Sequence, residues 1–411
     1  MKKLYMLAAV SALCLASSQS YAAGYQLNEY SATGLGRAFA GAGVVGDDFS
    51  ALAYNPAGMV LNQTSGVQGG LTVAHLNAKV RGEENGEYAK TKMNIGVTLP
   101  HAFAQYRVND RLTAGFGVYA PFGLRTRYSK QSFVAEAGVR SELEVIDLAP
   151  AVAYRVTDKL SLGASVIARY IHGRMSNNLP VSQTGGGYSD FDLDGWTAAW
   201  SIGAMYEFTP DTRIGVSVKG KSMQTVKGTH KVSGSPMSIL NQNLDNGEAS
   251  PDLPARVLVS GFHKLNDKVG LSASVRYTDW KDSFQEFSLI SPDALILKRY
   301  GGKKTVDEKW RETWTISFGA DYYLNENWTL RAGVAYDQSP VRNKYHRTIR
   351  IPDSNRTWVS VGASYKTENW QFDAGYAHLF MKNGTSQYVG DAKAHFKSYS
   401  NLIGLQAQYK F

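Results

Sequence analysis

The sequence predicts an all-β chain: a 14-stranded antiparallel transmembrane β-barrel with an N-terminal hatch of short helices in its lumen. Three observations lead there. From Gly66 onward, segments of period-2 alternation follow one another, joined by tight polar turns on one side and longer polar loops on the other. The apolar sets of these segments end in Trp or Tyr, as an aromatic girdle requires, and the chain stops at Phe411. Finally, the chain opens with an export signal, yet no later run reaches the roughly 18 apolar residues of a membrane helix. A mean hydropathy of −0.28 is too polar for a helical membrane protein and suits strands whose alternate residues face water.

Residues 1–22 form the signal. Lys2 and Lys3 supply its charge, Leu4 to Leu15 its apolar core, and Ser20-Tyr21-Ala22 a small-x-small cleavage site, so the mature chain should begin at Ala23. The only cysteine, Cys14, lies in this segment behind Leu13, where a lipoprotein would need a small residue. Without Lys2 and Lys3 the basic residues exceed the acidic ones by seven. That excess suits contact with outer-membrane lipids and lipopolysaccharide, or a solvated loop surface.

Residues 23–64 are the predicted hatch and 65–411 the barrel. The stretch from Ala23 to Gln63 is rich in Gly and Ala and lacks alternation. Asp47 and Asp48 stand where a helix N-cap would, ahead of Phe49 to Tyr54. Asn55-Pro56, followed by Ala57, should stop that helix, because the residue before Pro is pushed out of the α region. Gly41, Gly43 and Gly46 spell a G-x-G-x-x-G, but no strand precedes them, so a nucleotide site is rejected.

Six tight turns, such as Val108-Asn109-Asp110-Arg111 and Leu265-Asn266-Asp267-Lys268, define six hairpins. With one strand before and one after, the count is fourteen. They are 66–80, 93–107, 111–124, 141–156, 159–174, 193–208, 212–232, 253–264, 268–290, 310–324, 328–337, 356–366, 369–381 and 397–411. The third strand breaks the pattern with Gly115, Gly117, Pro121 and Gly123, and Pro100 stands on its partner. Interior Gly and Pro weaken a ladder, so this is either barrel curvature or a gap in the wall.

These residues carry a family. AGYQLNEYSATGLGRAFAG with the later Asp-Asp and Asn-Pro-Ala, LPHAFAQYRVNDRLTAGFGVYAPFGL, and NENWTLRAGVAYDQSPV followed by RIPDSNRTWVSVGASY resemble the FadL family over essentially the whole chain. The family comprises outer-membrane channels of Gram-negative bacteria for long-chain fatty acids and hydrophobic compounds. The resemblance implies capture among the outer loops, an internal site against the hatch N-terminus, and sideways exit at a kinked third strand. It places the hatch aromatic at Tyr25 and the exit at Gly115 to Gly123. The loops 175–192, with Gly185 to Gly187, and 233–252 are shorter than the resemblance calls for.

A fatty acid needs apolar length and a cation for its carboxylate. Alternation turns Arg169 inward, whereas the resemblance favours His172 and Arg174 higher on the same strand, which would need a bulge. It also marks Lys298. No H-E-x-x-H or clustered ligand spacing indicates a metal, and no Ser/His/Asp set stands out, so neither an enzyme nor a cofactor is expected. The expected function is passive uptake of long-chain fatty acids or similar molecules. Neutral aromatic or aliphatic hydrocarbons are the alternative, and a general porin or surface receptor a weaker one. The expected partners are the hydrophobic substrate, the surrounding lipid and, through Phe411, the outer-membrane assembly machinery. No nucleic acid is expected, and the chain should be a monomer.

Overall fold

Alternation decides which way each strand faces. In Trp328–Asp337, the residues Trp328, Leu330, Ala332, Val334 and Tyr336 are exposed, and Thr329, Arg331, Gly333, Ala335 and Asp337 are buried. Apolar side chains outside and polar ones inside invert the pattern of a water-soluble sheet, and lipid is the solvent that makes this stable. The computed structural model describes residues 24–84, 87–389 and 392–411. The expected signal and its cleavage site, residues 1–22 and Ala23, lie outside the described residues.

The barrel segments are β1 (Gly66–Glu84), β2 (Glu87–Arg107), β3 (Leu112–Arg127), β4 (Arg140–Arg155), β5 (Leu160–Asn178), β6 (Tyr188–Thr209), β7 (Thr212–Lys219), β8 (Val226–Ser233) and β9 (Gln242–Ala249). They continue as β10 (Arg256–Asn266), β11 (Val269–Thr278), β12 (Glu286–Ile290), β13 (Lys303–Asp307), β14 (Thr313–Tyr323), β15 (Trp328–Asp337), β16 (Arg356–Lys366), β17 (Trp370–Met381), β18 (Gly384–Val389) and β19 (Ala392–Lys410). They form a closed antiparallel barrel of fourteen staves, sealed by β1 against β19 from Gly66 opposite Lys410 to Glu83 opposite Lys393.

Five staves are made of two segments each, which the sequence reading did not expect: β7/β8, β9/β10, β11/β12, β13/β14 and β17/β18. The runs read as 212–232 and 268–290 are each interrupted. β9 and β13 lie in stretches read as loops. Pro251 and Pro254, between β9 and β10, have no N–H for a ladder. The interruptions at 220–225, 250–255, 279–285 and 308–312 fall on four neighbouring staves. Below them β14 is 11 residues long, close to the ~9–11 that cross a bilayer.

The hatch is buried inside the barrel. Its pieces are α1 (Ala32–Gly36), α2 (Ala51–Tyr54) and a 3-10 turn, Pro56–Leu61. Asn55 ends α2 and caps the turn: its Oδ1 accepts the Ala57 N–H at 3.1 Å, and its Nδ2 donates to the Ala204 carbonyl at 3.1 Å. The capping expected of Asp47 and Asp48 is corrected, because the residue at the N-cap of α2 is Ser50. Asp48 instead accepts from Ser31 Oγ (2.5 Å), Thr33 Oγ1 (2.8 Å) and Ser50 Oγ (2.6 Å). Asp47 lies between Arg37 (2.7 Å) and Arg331 (3.0 Å), and both of these also reach Asp321. The barrel wall makes room for this plug by omitting side chains. A Cβ on Gly203 would collide with Asn55, and one on Gly333 with the Arg37 backbone.

Candidate transport path

The N-terminal segment of the hatch rises along the lumen and mends the wall. β2 pairs with β1 along its length, but with β3 only from Arg107 opposite Thr113 up to Ala102 opposite Val118. Above that level β3 remains bonded to β4 through a register shift between Tyr119 and Phe122, where Pro121 has no N–H to give. The freed edge of β3 is taken by the hatch. Leu27 N–H donates to the Pro121 carbonyl at 2.9 Å, Gly123 N–H donates to the Tyr25 carbonyl at 2.8 Å, and Gln26 stands opposite Phe122.

This geometry sorts the five residues expected at the gap. Pro121 and Gly123 are on the edge that β2 leaves, and Pro100 is on the part of β2 that has no β3 partner. Gly115 and Gly117 are not part of it. They sit in the intact β2–β3–β4 ladder, opposite Gln105 and Phe103, and are small because Met59 and Leu52 of the hatch press against them.

Tyr25 is the centre of an aromatic cluster. Its ring centroid lies 4.7 Å from Trp280, 5.4 Å from Phe284, 5.5 Å from Trp310 and 6.0 Å from Phe122. Gly24, at φ 65°, lies against Trp280 and Trp310 and leaves no room for a side chain. The Gly24 N–H donates to Asp353 at 3.0 Å, which anchors the segment to the connection between β15 and β16. Trp280 and Trp310 come from the interruptions of two neighbouring staves. The sequence reading placed them inside strands and missed them as site residues.

Tyr25 also forms the floor of a cavity of about 80 Å³. The walls are apolar: Leu124, Leu143, Ile171, Met175, Phe191, Leu193, Phe287, Leu289 and Ile351. Four charged residues reach it. Arg350 donates to Ser141 Oγ (3.0 Å) and the Arg140 carbonyl (3.1 Å). Glu142 is paired with Arg140, Arg127 and Arg125. Glu308 accepts from Trp310 Nε1 at 3.1 Å, and burial raises its carboxyl to about 8. Lys304 alone has no hydrogen-bond or ion-pair partner for its ammonium among the described residues.

The cations expected to hold a carboxylate are placed differently. Arg169 faces the lumen, but both oxygens of Asp147 occupy its guanidinium at 2.7 and 2.9 Å, and Ser222 Oγ takes a third donor at 2.7 Å. His172 and Arg174 alternate with the cavity residues Ile171, Gly173 and Met175, with no register shift to turn them inward, so they project outside. There His172 pairs with Asp192 at 2.8 Å and Arg174 with Asp190 at 2.6 Å. Lys298 is the exposed end of a short helix, Leu295–Lys298, and does not line the cavity. Lys304, on a strand read as loop, lines the cavity instead. No group of three His, Cys, Asp or Glu side chains able to hold a metal occurs among the described residues.

A family model described as "Outer membrane protein transport protein (OMPP1/FadL/TodX)" matches residues 13–411. The chain belongs to that family. Outer membrane protein P1 of Haemophilus influenzae is 30% identical with all of both chains covered. A long-chain fatty acid transport protein of Escherichia coli is 29% identical over 97% of each chain. The crystal structure of a Pseudomonas aeruginosa FadL homologue superposes with a TM-score of 0.85 at 25% identity, covering 95% of this chain and all of that one. The toluene transporter TbuX of Ralstonia pickettii shares the fold, with a TM-score of 0.68 at 23% identity over 94% and 99%. This FadL-family chain is an outer-membrane transport protein and not an enzyme.

Proposed function

We propose that the chain carries long-chain fatty acids or similar single-chain amphiphiles inward across the outer membrane. The chain of the substrate lies in the cavity above Tyr25 with its carboxylate at Lys304. It then leaves sideways between β2 and β3 once the Tyr25–Leu27 segment lets go of β3. The observation that carries the reading is the exposed Lys304, its ammonium unpaired, on the wall of a mostly apolar cavity that Glu142, Glu308 and Arg350 also line and whose floor is the plug of the wall gap. A charged donor at one end of an apolar slot fits an acid better than a neutral hydrocarbon. The fatty acid transport protein among the relatives supports this substrate class, and the toluene transporter of the same fold keeps hydrocarbons as the second reading. Sideways exit avoids hydrating the alkyl chain, which costs about 0.8 kcal/mol per CH₂.

The surroundings follow from the same proposal. A monomer sits in outer-membrane lipid and lipopolysaccharide, and the exposed Phe411, its N–H bonded to the Ser65 carbonyl at 3.0 Å, is offered to the assembly machinery. Titration of the purified barrel with oleate and with methyl oleate tests the substrate. The acid should bind at least tenfold more tightly. Equal affinity for acid and ester would move the assignment to neutral hydrocarbons, and binding of neither would remove it.

A further inference from the structure

We infer that a second station for a carboxylate head group lies just inside the wall gap, built from Lys219 and Arg256. β7 ends on Lys219 and β10 begins on Arg256, and the two residues are directly opposite in the antiparallel ladder. Both side chains turn into the lumen and are more than nine-tenths buried, at 7% and 6% exposure. Like charges directly opposite each other destabilise a strand pair, and a buried cation without a counter-ion is costly.

Neither cation has a carboxylate. Lys219 Nζ donates to Tyr119 Oη at 2.9 Å and to the Ala53 carbonyl at 3.3 Å. The Arg256 guanidinium has no hydrogen-bond or ion-pair partner among the described residues. Its buried Nη2 is unpartnered, and its guanidinium lies 5.0 Å from the Phe122 ring centroid. The nearby Asp147 is engaged through both oxygens by Arg169, and Glu29 lies toward Arg276 and Arg356. A cavity of about 30 Å³ separates the groups, lined by Asn28, Tyr30, Lys219, Arg256, Leu258 and Arg276 with no acidic side chain. It has room for a carboxylate but not for an alkyl chain.

The position gives the station its use. Tyr119, which Lys219 touches, is the first β3 residue above the last β2–β3 pair, and Phe122, which Arg256 faces, lies opposite hatch residue Gln26. A head group held here keeps its charge matched while its chain passes through the gap. The inference rests on the fatty-acid reading above, and an inorganic anion such as phosphate shares the same chemistry.

The test is equilibrium dialysis of the purified full-length barrel against labelled oleate, with oleyl alcohol and inorganic phosphate as separate probes. The wild type should hold two oleates. Arg256→Met and Lys219→Met should each weaken one of them about tenfold and leave oleyl alcohol unchanged, and Arg256→Lys should restore most of the loss. Folding is checked by heat-modifiable migration, and Lys219→Gln and Arg256→Gln replace any variant that fails it. Unchanged oleate binding in all these variants would overturn the station and leave the channel standing. A site that binds phosphate, with oleate unaffected by the substitutions, would also overturn it. Wild-type protein that binds no oleate would instead remove the fatty-acid reading itself.

Discussion

The two edges of β2 differ, although one strand presents both. Toward β1 it is paired from Glu87 opposite Glu84 down to Gln105 opposite Gly66, and β1 continues that order into β19. Toward β3 it is paired at six positions, all at the periplasmic end. The edge that β3 thereby loses is covered by two backbone hydrogen bonds from the hatch, at 2.9 and 2.8 Å. The first edge needs nothing from the lumen. The second is closed only while Tyr25, Gln26 and Leu27 stay in place, so whatever displaces Tyr25 acts on the wall. A barrel in lipid must satisfy every backbone group that faces the bilayer. Under the proposed sideways exit, this segment of its own hatch serves as a removable strand.

The most direct way to break this comparison is to lock each edge in turn. Gln26 and Phe122 are directly opposite, within the ~4.4–6.8 Å between Cα atoms that a disulfide spans, and Cys14 is the chain's only native cysteine. Gln26→Cys with Phe122→Cys, once oxidised, should reduce oleate uptake by cells more than tenfold, with recovery after reductant. Val73→Cys with Ile403→Cys, opposite each other on the closed seam, should leave uptake unchanged. If both bridges act alike, the two edges do not differ in function.

Amide exchange sharpens the same contrast with no substitution at all. The Leu27 and Gly123 amides each make one bond across the short hatch–β3 contact, whereas Val73 sits in a ladder paired on both sides. The Leu27 and Gly123 amides should exchange at least a hundredfold faster than that of Val73, since local opening follows the number of cooperating contacts. Equal protection would mean that the hatch segment is as fixed as the wall.

Much of this architecture is legible in the sequence, because lipid and lumen impose a strict period of two. Trp328 to Asp337 can be sorted by face from the alternation alone. Asn55-Pro56 also announces its turn, since proline geometry is local. What is not legible depends on contacts distant in sequence. Gly115 and Gly117 read as a strand defect, yet they are small because Leu52 and Met59 come from another part of the chain. Arg169 points inward as read, but nothing near it in sequence says that Asp147, across the ladder, already holds it. Lys304 is on a short strand formed only because β12 pairs with it, and Trp280 and Trp310 meet at Tyr25 only when neighbouring staves break at one height.

A comparable effect is expected at the substrate end of the second edge. Lys304→Met should weaken oleate binding by about 1.5–3 kcal/mol, the value of a hydrogen bond to a charged group, with methyl oleate little changed. His172→Ala and Arg174→Ala, on the outer face, should leave binding as it is. Titrations of the three variants side by side separate the cavity from the outer charge cluster. A loss in the outer pair equal to that in Lys304→Met would place the carboxylate outside the lumen.

The smallest effect belongs to pH, and it asks whether the cavity floor senses charge. Glu308 lies in the connection between β13 and β14, above the membrane-spanning segment, and accepts from Trp310 of the Tyr25 cluster. Burial lifts its carboxyl to about 8, with hydrogen bonds from Trp310 and Thr348 opposing the shift. Because its folded value is raised, the stability it contributes is present at low pH and fades as pH rises through about 8. Above that value the cavity gains a negative charge, which repels a bound carboxylate and favours release of the segment that carries Tyr25. Oleate affinity should therefore fall several-fold between pH 7 and about 9, while methyl oleate affinity stays flat. Glu308→Gln, unable to ionise, should remove the fall. The Leu27 amide, corrected for intrinsic exchange, should lose protection over the same range in the wild type and keep it in Glu308→Gln. A pH dependence that survives Glu308→Gln would assign the titration to another group and detach the floor of the cavity from the mended edge.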